Sequence, residues 1–274
     1  MASTLRIVFL GTGASRPSPR RNVSSVAVQL DSSIVLLDVG EATQHRFMFA
    51  NASPMKVDYI FISHLHGDHF LGLPPLLQSL GFMGRRRPLR ILVPEGELHE
   101  VWKAVNLGYS SFRYPIEILE VSPGEELQFG DVVFRFARAL HGVPALAVRI
   151  EEGRGRSVVY SGDTAPSPEV AELARGASVL IHDALCASDR ERRANLYGHS
   201  SSRQAAAVAR AAGVQLLILT HVSQAYEGRE DVILGEAREV FPNTVLAEDL
   251  MEVVVRVRPP HRVLGSRFIE KGSS

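Results

Sequence analysis

Short apolar runs along this 274-residue chain predict strands and helices, and the two halves of the chain show them in a similar order. Runs typical of β-strands occupy residues 5–40, a helix is predicted over 41–50, and strand and helix patterns then alternate to residue 108. A second group of strands is predicted over 116–161, and the alternation resumes at residue 168. Several of these runs are apolar throughout, which is typical of strands buried on both faces of a sheet. The pattern therefore predicts an α/β protein, a four-layer αβ/βα sandwich in which two similar halves pack sheet against sheet with helices outside.

The length suits one large domain or two small ones, and no Pro-, Gly- or Ser-rich linker separates the halves. We therefore predict a single domain over 1–264 and a flexible tail over 265–274. Cys186 is the only cysteine, which excludes an internal disulfide and favours a cytoplasmic location. No apolar run reaches the roughly 20 residues that a membrane span needs. The formal net charge of zero provides no overall field for nucleic acid, so an acidic partner would have to meet local basic patches.

Three histidines and an aspartate are crowded into the segment that directly follows one apolar run. They are His64, His66, Asp68 and His69. Because alternate residues of an extended chain point to the same side, His64 and His66 can hold one metal ion. Gly67 permits a tight turn, after which Asp68 and His69 begin the next helix and are directed at a second ion.

Single polar residues suited to metal follow three further apolar runs. These residues are His141, Asp163 and His221. Loops at strand ends can bring such side chains into one cleft, and the resulting seven candidates fit two divalent ions that share one carboxylate. Imidazole and carboxylate donors suit zinc above all, with manganese and iron as alternatives.

The remaining histidines are interpreted differently. His45, His99 and His261 lack this setting and are read as ordinary surface or core residues. His182 also stands at the end of an apolar run, but the adjacent Asp183 competes for the same role, and both readings stay open.

The spacing of the cluster and the order of the later residues resemble the metallo-β-lactamase superfamily. Within it the chain is similar to the ribonuclease Z family, whose members remove 3′ trailers from precursor tRNA and share the αβ/βα sandwich. The resemblance covers most of the chain and rests on these segments: FLGTGASRPSPRRNVSS, LLDVGEATQ, SHLHGDHFLGLPPLL, LHGVPALAVRIEE, VVYSGDT, LIHDAL, GHSSSRQAA and LILTHVSQAY.

The resemblance also implies a role for each residue. One ion would be held by His64, His66 and His141, the second by Asp68, His69 and His221, with Asp163 bridging the two. Asp68 would also be the general base that takes the proton of the attacking water. His199 would protonate the leaving ribose oxygen, and Asp183 would be its acidic partner.

Two departures from the family pattern stand out. The family usually has His-Glu-Ala where this chain has His182, Asp183 and Ala184, so contact between Asp183 and His199 is expected to need an altered backbone or a water. Many members also carry a long arm that clamps the tRNA. Here only Gly-Arg-Gly-Arg, residues 153–156, fills that place, which predicts a tight hairpin.

Three functions are considered. The first is tRNA 3′ endonuclease acting as a cytoplasmic homodimer, supported by three basic clusters that could meet phosphate: Arg16, Arg20 and Arg21; Arg85, Arg86 and Arg87; Arg190, Arg192 and Arg193. The alternative is a small-molecule phosphodiesterase or related hydrolase, which the missing arm favours. A metal-binding adaptor with a decayed site is disfavoured because no ligand position is substituted.

Overall fold

Two seven-stranded sheets form the centre of the protein. The computed structural model describes residues 3–107, 112–153 and 156–257. The first sheet has the order β14-β1-β2-β3-β4-β5-β6. Its strands are β1 (Ser3–Gly11), β2 (Ser25–Gln29), β3 (Ile34–Leu37), β4 (Val57–Phe61), β5 (Leu89–Pro94), β6 (Ile116–Val121) and β14 (Glu252–Val257). Strands β3 to β6 run parallel, whereas β14, β1, β2 and β3 pair antiparallel.

The second sheet repeats this plan with the order β13-β12-β11-β10-β9-β8-β7. Its strands are β7 (Glu126–Phe129), β8 (Val132–Arg138), β9 (Leu146–Glu152), β10 (Arg156–Tyr160), β11 (Val179–Asp183), β12 (Leu216–Thr220) and β13 (Thr244–Leu246). Strands β7 to β10 pair antiparallel and β10 to β13 run parallel. The strands predicted over 116–161 are therefore divided between the two sheets.

Helices cover the outer face of each sheet. They are α1 (Thr43–Arg46), α2 (Gly67–Phe70), α3 (Leu73–Phe82), α4 (Leu98–Val105), α5 (Pro168–Leu173), α6 (Glu191–Leu196), α7 (Ser202–Ala212) and α8 (Glu230–Val240). One buried cluster draws on both sheets, including Phe61 and Phe136, whose rings stack 5.9 Å apart. Each sheet also has one buried cluster between it and its helices. This is the predicted four-layer arrangement of two similar halves.

The helix predicted over residues 41–50 is shorter than expected. Only Thr43–Arg46 is α-helical, and Ala42 before it has a left-handed backbone with φ of 62°. That conformation cannot belong to a right-handed helix, so the helix begins after it.

The predicted tail, 265–274, lies outside the described residues. No helix among the described residues has the length and apolar character needed to cross a membrane.

The topology determines where polar loops meet. In each sheet the parallel strands point the same way, so the loops that leave their carboxyl ends lie along one edge. Residues that follow β4 in the first sheet contact Asp163 after β10 in the second, and the ring of His69 lies 5.0 Å from that of His221 after β12.

Candidate metal centre

Three histidines converge at one side of the cleft between the sheets. The Nδ1 atom of His66 lies 3.1 Å from Nε2 of His64 and 3.1 Å from Nε2 of His141. Two nitrogens on a tetrahedral zinc ion, each about 2.0–2.1 Å from the metal, stand about 3.4 Å apart. The three nitrogens therefore have nearly the spacing of a ligand set.

A second group lies beside the first. Its members Asp68, His69, Asp163 and His221 offer ligand atoms that all fall within 4.8 Å of one another. Oδ2 of Asp163 is 3.2 Å from Nε2 of both His69 and His221, and 3.7 Å from Nε2 of His64. Asp163 thus stands between the two groups.

Several atoms of this centre are buried without a hydrogen-bonding partner in the described part of the chain. They are Nε2 of His69, Nε2 of His221 and Oδ1 of Asp163. An unpaired polar atom costs free energy when water is excluded, and a cation would satisfy all three atoms. The donor set also has the nitrogen and oxygen chemistry that divalent transition metals prefer. The residues present therefore fit a pair of divalent ions.

Hydrogen bonds from the outer side fix the rings. Nδ1 of His141 donates to the carbonyl of Gly198 at 2.9 Å. Nδ1 of His64 lies 3.0 Å from the Ser63 hydroxyl, and Nδ1 of His221 lies 3.0 Å from the hydroxyl of Ser24. A proton held on Nδ1 leaves Nε2 with a free lone pair directed into the centre.

Asp38 is a functional candidate that the sequence reasoning missed. It follows β3, is fully buried, and accepts a hydrogen bond from Nδ1 of His69 at 2.7 Å. Its carboxylate also accepts from the backbone and hydroxyl of Ser63, and from the hydroxyl of Tyr160 at 2.7 Å. The available signal was its position directly after an apolar strand, the same signal that selected Asp163.

Asp68 is held by groups from two loops of the first half, those after β1 and β4. The backbone N–H of Ser15 donates to Oδ2 of Asp68 at 2.9 Å, and Nε2 of His69 lies 3.4 Å from the same oxygen. Burial alone would raise the pKa of Asp68, but His69 and His221 lower it below its ordinary value. The carboxylate is therefore ionised at neutral pH and able to accept a proton or bind a cation.

His199 and Asp183 form a direct pair at the edge of the centre. Nδ1 of His199 lies 3.0 Å from Oδ2 of Asp183, so the contact is direct and, of the two expected alternatives, the bridging water is not needed. Burial lowers the pKa of His199, but Asp183 and Asp163 outweigh it and raise that pKa to about 9. His199 is then protonated at neutral pH with Nε2 free to donate.

The other histidines lie apart from the centre. His182 is buried and its Nδ1 donates to the carbonyl of Asp183 at 2.8 Å, so of this pair it is Asp183 that faces His199. His45 and His99 are exposed, and neither belongs to a ligand group among the described residues. His261 lies outside the described residues.

A cavity of about 490 Å³ opens over the centre. Its walls include His66, Asp68, Asp163 and His199, and on the far side Arg190, Arg193 and Tyr197. Part of the third predicted basic cluster therefore faces the site.

Each of the other two basic clusters contains an arginine that is buried. The side chain of Arg85 is 0% exposed and pairs with Asp58 at 2.9 Å, so it stabilises the fold and cannot meet phosphate. Arg21 is also buried, donating to the Thr12 hydroxyl and the Ala247 carbonyl.

The turn after β9 is short. Strands β9 and β10 pair from Glu152↔Arg156 onward, and Gly153 has a left-handed backbone with φ of 60°. Only residues 153–155 separate the two paired strands, and residues 154 and 155 of the predicted hairpin lie outside the described part of the chain.

Known proteins share this architecture and its motifs. The family model described as a β-lactamase superfamily domain matches residues 34–222. A ribonuclease Z from Methanosarcina mazei is 37% identical over 93% of this chain and 99% of its own, and one from Thermoplasma acidophilum is 38% identical over 94% and 99%. The first alignment spans 305 positions, more than the 274 residues of this chain, so that relative has stretches that are absent here.

A solved structure agrees with these relatives. The short form of human tRNase Z superposes with a TM-score of 0.79 at 28% identity, over 90% of this chain and 98% of the human one. The chain belongs to the ribonuclease Z family of the β-lactamase superfamily.

Proposed function

We propose that the protein is a metal-dependent phosphodiesterase that removes 3′ trailers from precursor tRNA. The observation that carries this proposal is the His199–Asp183 pair, with its Nδ1···Oδ2 distance of 3.0 Å, in which His199 lines the same cavity as four of the seven ligand candidates. A hydrolase of phosphodiesters needs both an activated water and a proton for the leaving oxygen. The ribonuclease Z relatives supply the substrate class.

The metal assignment follows the two ligand groups. His64, His66 and His141 would hold one ion, Asp68, His69 and His221 would hold the other, and Asp163 would contact both. We propose zinc in both positions because the donors are imidazole and carboxylate, with manganese or iron as alternatives. When bound, such ions lower the pKa of water and offset charge on a phosphoryl group.

The chain's own groups then handle the protons. Asp68, ionised and exposed to the cavity, takes the proton of the attacking water. His199 carries a proton at neutral pH and gives it from Nε2 to the leaving 3′ oxygen, which is a poor leaving group without it. Asp183 keeps the imidazole in that orientation and stabilises its charged form.

The decisive experiment compares two substrates. The purified protein, loaded with zinc, is given a precursor tRNA transcript and, separately, bis(p-nitrophenyl) phosphate. We expect cleavage of the transcript at the 3′ end of the acceptor stem. Hydrolysis of the chromogenic ester without any cleavage of the transcript would contradict the tRNA assignment and favour a small-molecule phosphodiesterase, the reading that the short hairpin at Gly153 supports.

We also propose the remaining features of the assembly. The two halves form one domain over 1–264, since a single buried cluster draws on both sheets. The protein works as a cytoplasmic homodimer, for which the exposed Met48 and Phe49 offer apolar contact area. Light scattering distinguishes a dimer from a monomer.

A further inference from the structure

One face of the segment 190–197 forms a wall of the cavity. Arg190, Arg193, Ala194 and Tyr197 line it together with His199. The spacings of three, four and seven residues place these side chains on one face of the helical segment. Arg192, on another face, is not among the lining residues.

Two side chains on this wall, Arg193 and Tyr197, have no ion pair or side-chain hydrogen bond among the described residues. Tyr197 is 63% exposed, and Arg193 is exposed with no carboxylate within ion-pair distance in the described ranges. Arg190 is less free, since its Nε lies 3.9 Å from Asp189 and its guanidinium lies over the Tyr226 ring at 5.6 Å. A free guanidinium and an open aromatic ring therefore stand beside the centre without a structural task.

The wall is fixed relative to His199. The backbone N–H of His199 donates to the carbonyl of Ala194 at 3.0 Å, and the side chain of Asn195 donates to the His199 carbonyl at 2.8 Å. The Ser201 hydroxyl also donates to Glu191 at 2.5 Å. A group bound by Arg193 and Tyr197 is therefore held at a defined distance from the proton donor.

The position of His199 indicates what the wall contacts. If His199 protonates the leaving 3′ oxygen, the ribose that carries this oxygen lies beside it, and its base and 5′ phosphate extend into the same cavity. The volume of about 490 Å³ is within the range of roughly 300–1,000 Å³ found for small-ligand sites. Aromatic rings stack on bases of any identity, and the Arg fork matches phosphate oxygens.

We propose that Arg193 and Tyr197 form a subsite for the nucleotide on the 5′ side of the scissile bond. Tyr197 stacks on its base, and Arg193 contacts its 5′ phosphate. The subsite rests on the proposed function for its orientation, but it also predicts binding of a free ribonucleoside 5′-monophosphate. It would hold the last nucleotide of the mature RNA independently of its sequence.

The test measures inhibition of bis(p-nitrophenyl) phosphate hydrolysis by adenosine 5′-monophosphate, adenosine and inorganic phosphate. For the zinc-loaded wild type we expect competitive inhibition by the nucleotide that is stronger than inhibition by either fragment. Tyr197→Leu should raise the inhibition constants of nucleotide and nucleoside roughly tenfold. Arg193→Ala should raise only that of the nucleotide, and the matched control Arg192→Ala should change neither.

Each other outcome has a defined meaning. Equal inhibition by phosphate and nucleotide, or constants that Tyr197→Leu and Arg193→Ala leave unchanged, would place the phosphate at the metal centre and overturn the subsite. Because both side chains are exposed, loss of the fold is not expected, and circular dichroism verifies this. If the nucleotide results hold while the wild type fails to cleave precursor tRNA, the proposed function fails and the subsite stands.

Discussion

At the scale of single residues, Asp68 combines two tasks. It is both a ligand candidate and the proposed proton acceptor, so Asp68→Ala should reduce turnover of every phosphodiester by several orders of magnitude while the fold survives. Steady-state rates on precursor tRNA and on the nitrophenyl ester measure this loss. Glu172→Ala, which removes an exposed carboxylate far from the cleft, is the control and should leave both rates unchanged. Near-wild-type rates for Asp68→Ala would refute the role.

His199 should matter according to the leaving group. A ribose oxygen needs a proton as the bond breaks, whereas p-nitrophenolate leaves well without one. General acid catalysis contributes about 10²–10⁴-fold, so His199→Ala should lose roughly that factor on RNA and much less on the nitrophenyl ester, with metal content unchanged. Equal losses on both substrates would exclude the leaving-group role, and loss of metal would make His199 a ligand.

Asp38 should control metal affinity without touching the metal. Its hydrogen bond fixes the ring of His69, and removal of such outer partners typically weakens metal binding by about 10–100-fold. Asn accepts the left-handed backbone that Asp38 adopts, at φ of 58°, so Asp38→Asn removes the charge and one acceptor oxygen without straining the backbone. Zinc affinity measured by competition with a chromogenic chelator checks this, and an unchanged affinity would contradict it.

Sequence reasoning identified the ligand candidates because each follows an apolar strand, and the structure brings all seven together. Their roles stay predictions. Asp38 also follows an apolar strand, but this position alone did not identify it as a functional residue. An Asp at a strand end is common, and its hydrogen-bond partner Tyr160 lies 122 residues away in the sequence. Arg85 was predicted to be able to contact phosphate, but it is buried in an ion pair with Asp58. A run of arginines in the sequence does not show which of their side chains is buried.

At the scale of elements, the N-cap residue of α7, Ser201, contacts both its own helix and Glu191 of α6. The Ser201 hydroxyl accepts from the backbone of Gln204 and donates to Glu191. Loss of a serine cap costs about 1 kcal/mol, so Ser201→Ala should lower the free energy of unfolding by about that amount.

Urea denaturation checks this prediction, and Ser202→Ala is the matched control. The Ser202 hydroxyl is buried without a hydrogen-bond partner among the described residues, so its removal should be neutral or stabilising. Equal destabilisation by both substitutions would mean that the cap is not what stabilises this turn.

The elements differ in how readily their sequences reveal them. Continuous apolar runs identified the buried strands. The predicted helix over 41–50 was too long, because nothing in the composition of the segment shows that Ala42 adopts a left-handed backbone. Pairing between distant strands, such as β1 with β14, depends on contacts that no local pattern specifies.

At the scale of the whole molecule, the metal centre joins the two sheets. Its ligand candidates follow β4 in one sheet and β8, β10 and β12 in the other, so bound ions should stabilise the folded state. Ligand at a thousandfold excess over its dissociation constant contributes about 4 kcal/mol, which for a chain of this size corresponds to several degrees. Chelation should therefore lower the melting temperature, and added zinc should restore it. An unchanged melting temperature after verified metal removal would contradict this coupling.

The left-handed backbones of Asp38 and His221, with φ of 58° and 59°, bear on how this site can evolve. Such a conformation costs a residue with a β-carbon roughly 1–2 kcal/mol, and glycine adopts it freely. Glycine at either position would relax the backbone, yet it would remove the carboxylate that fixes His69 or the imidazole at the centre. At Asp38 the four hydrogen bonds to the buried carboxylate oppose that relaxation. At His221, whose Nε2 is buried without a partner in the described part of the chain, selection for stability without metal and selection for catalysis act in opposite directions. Variants selected for thermostability in the absence of metal are therefore expected to change at position 221 at the expense of activity.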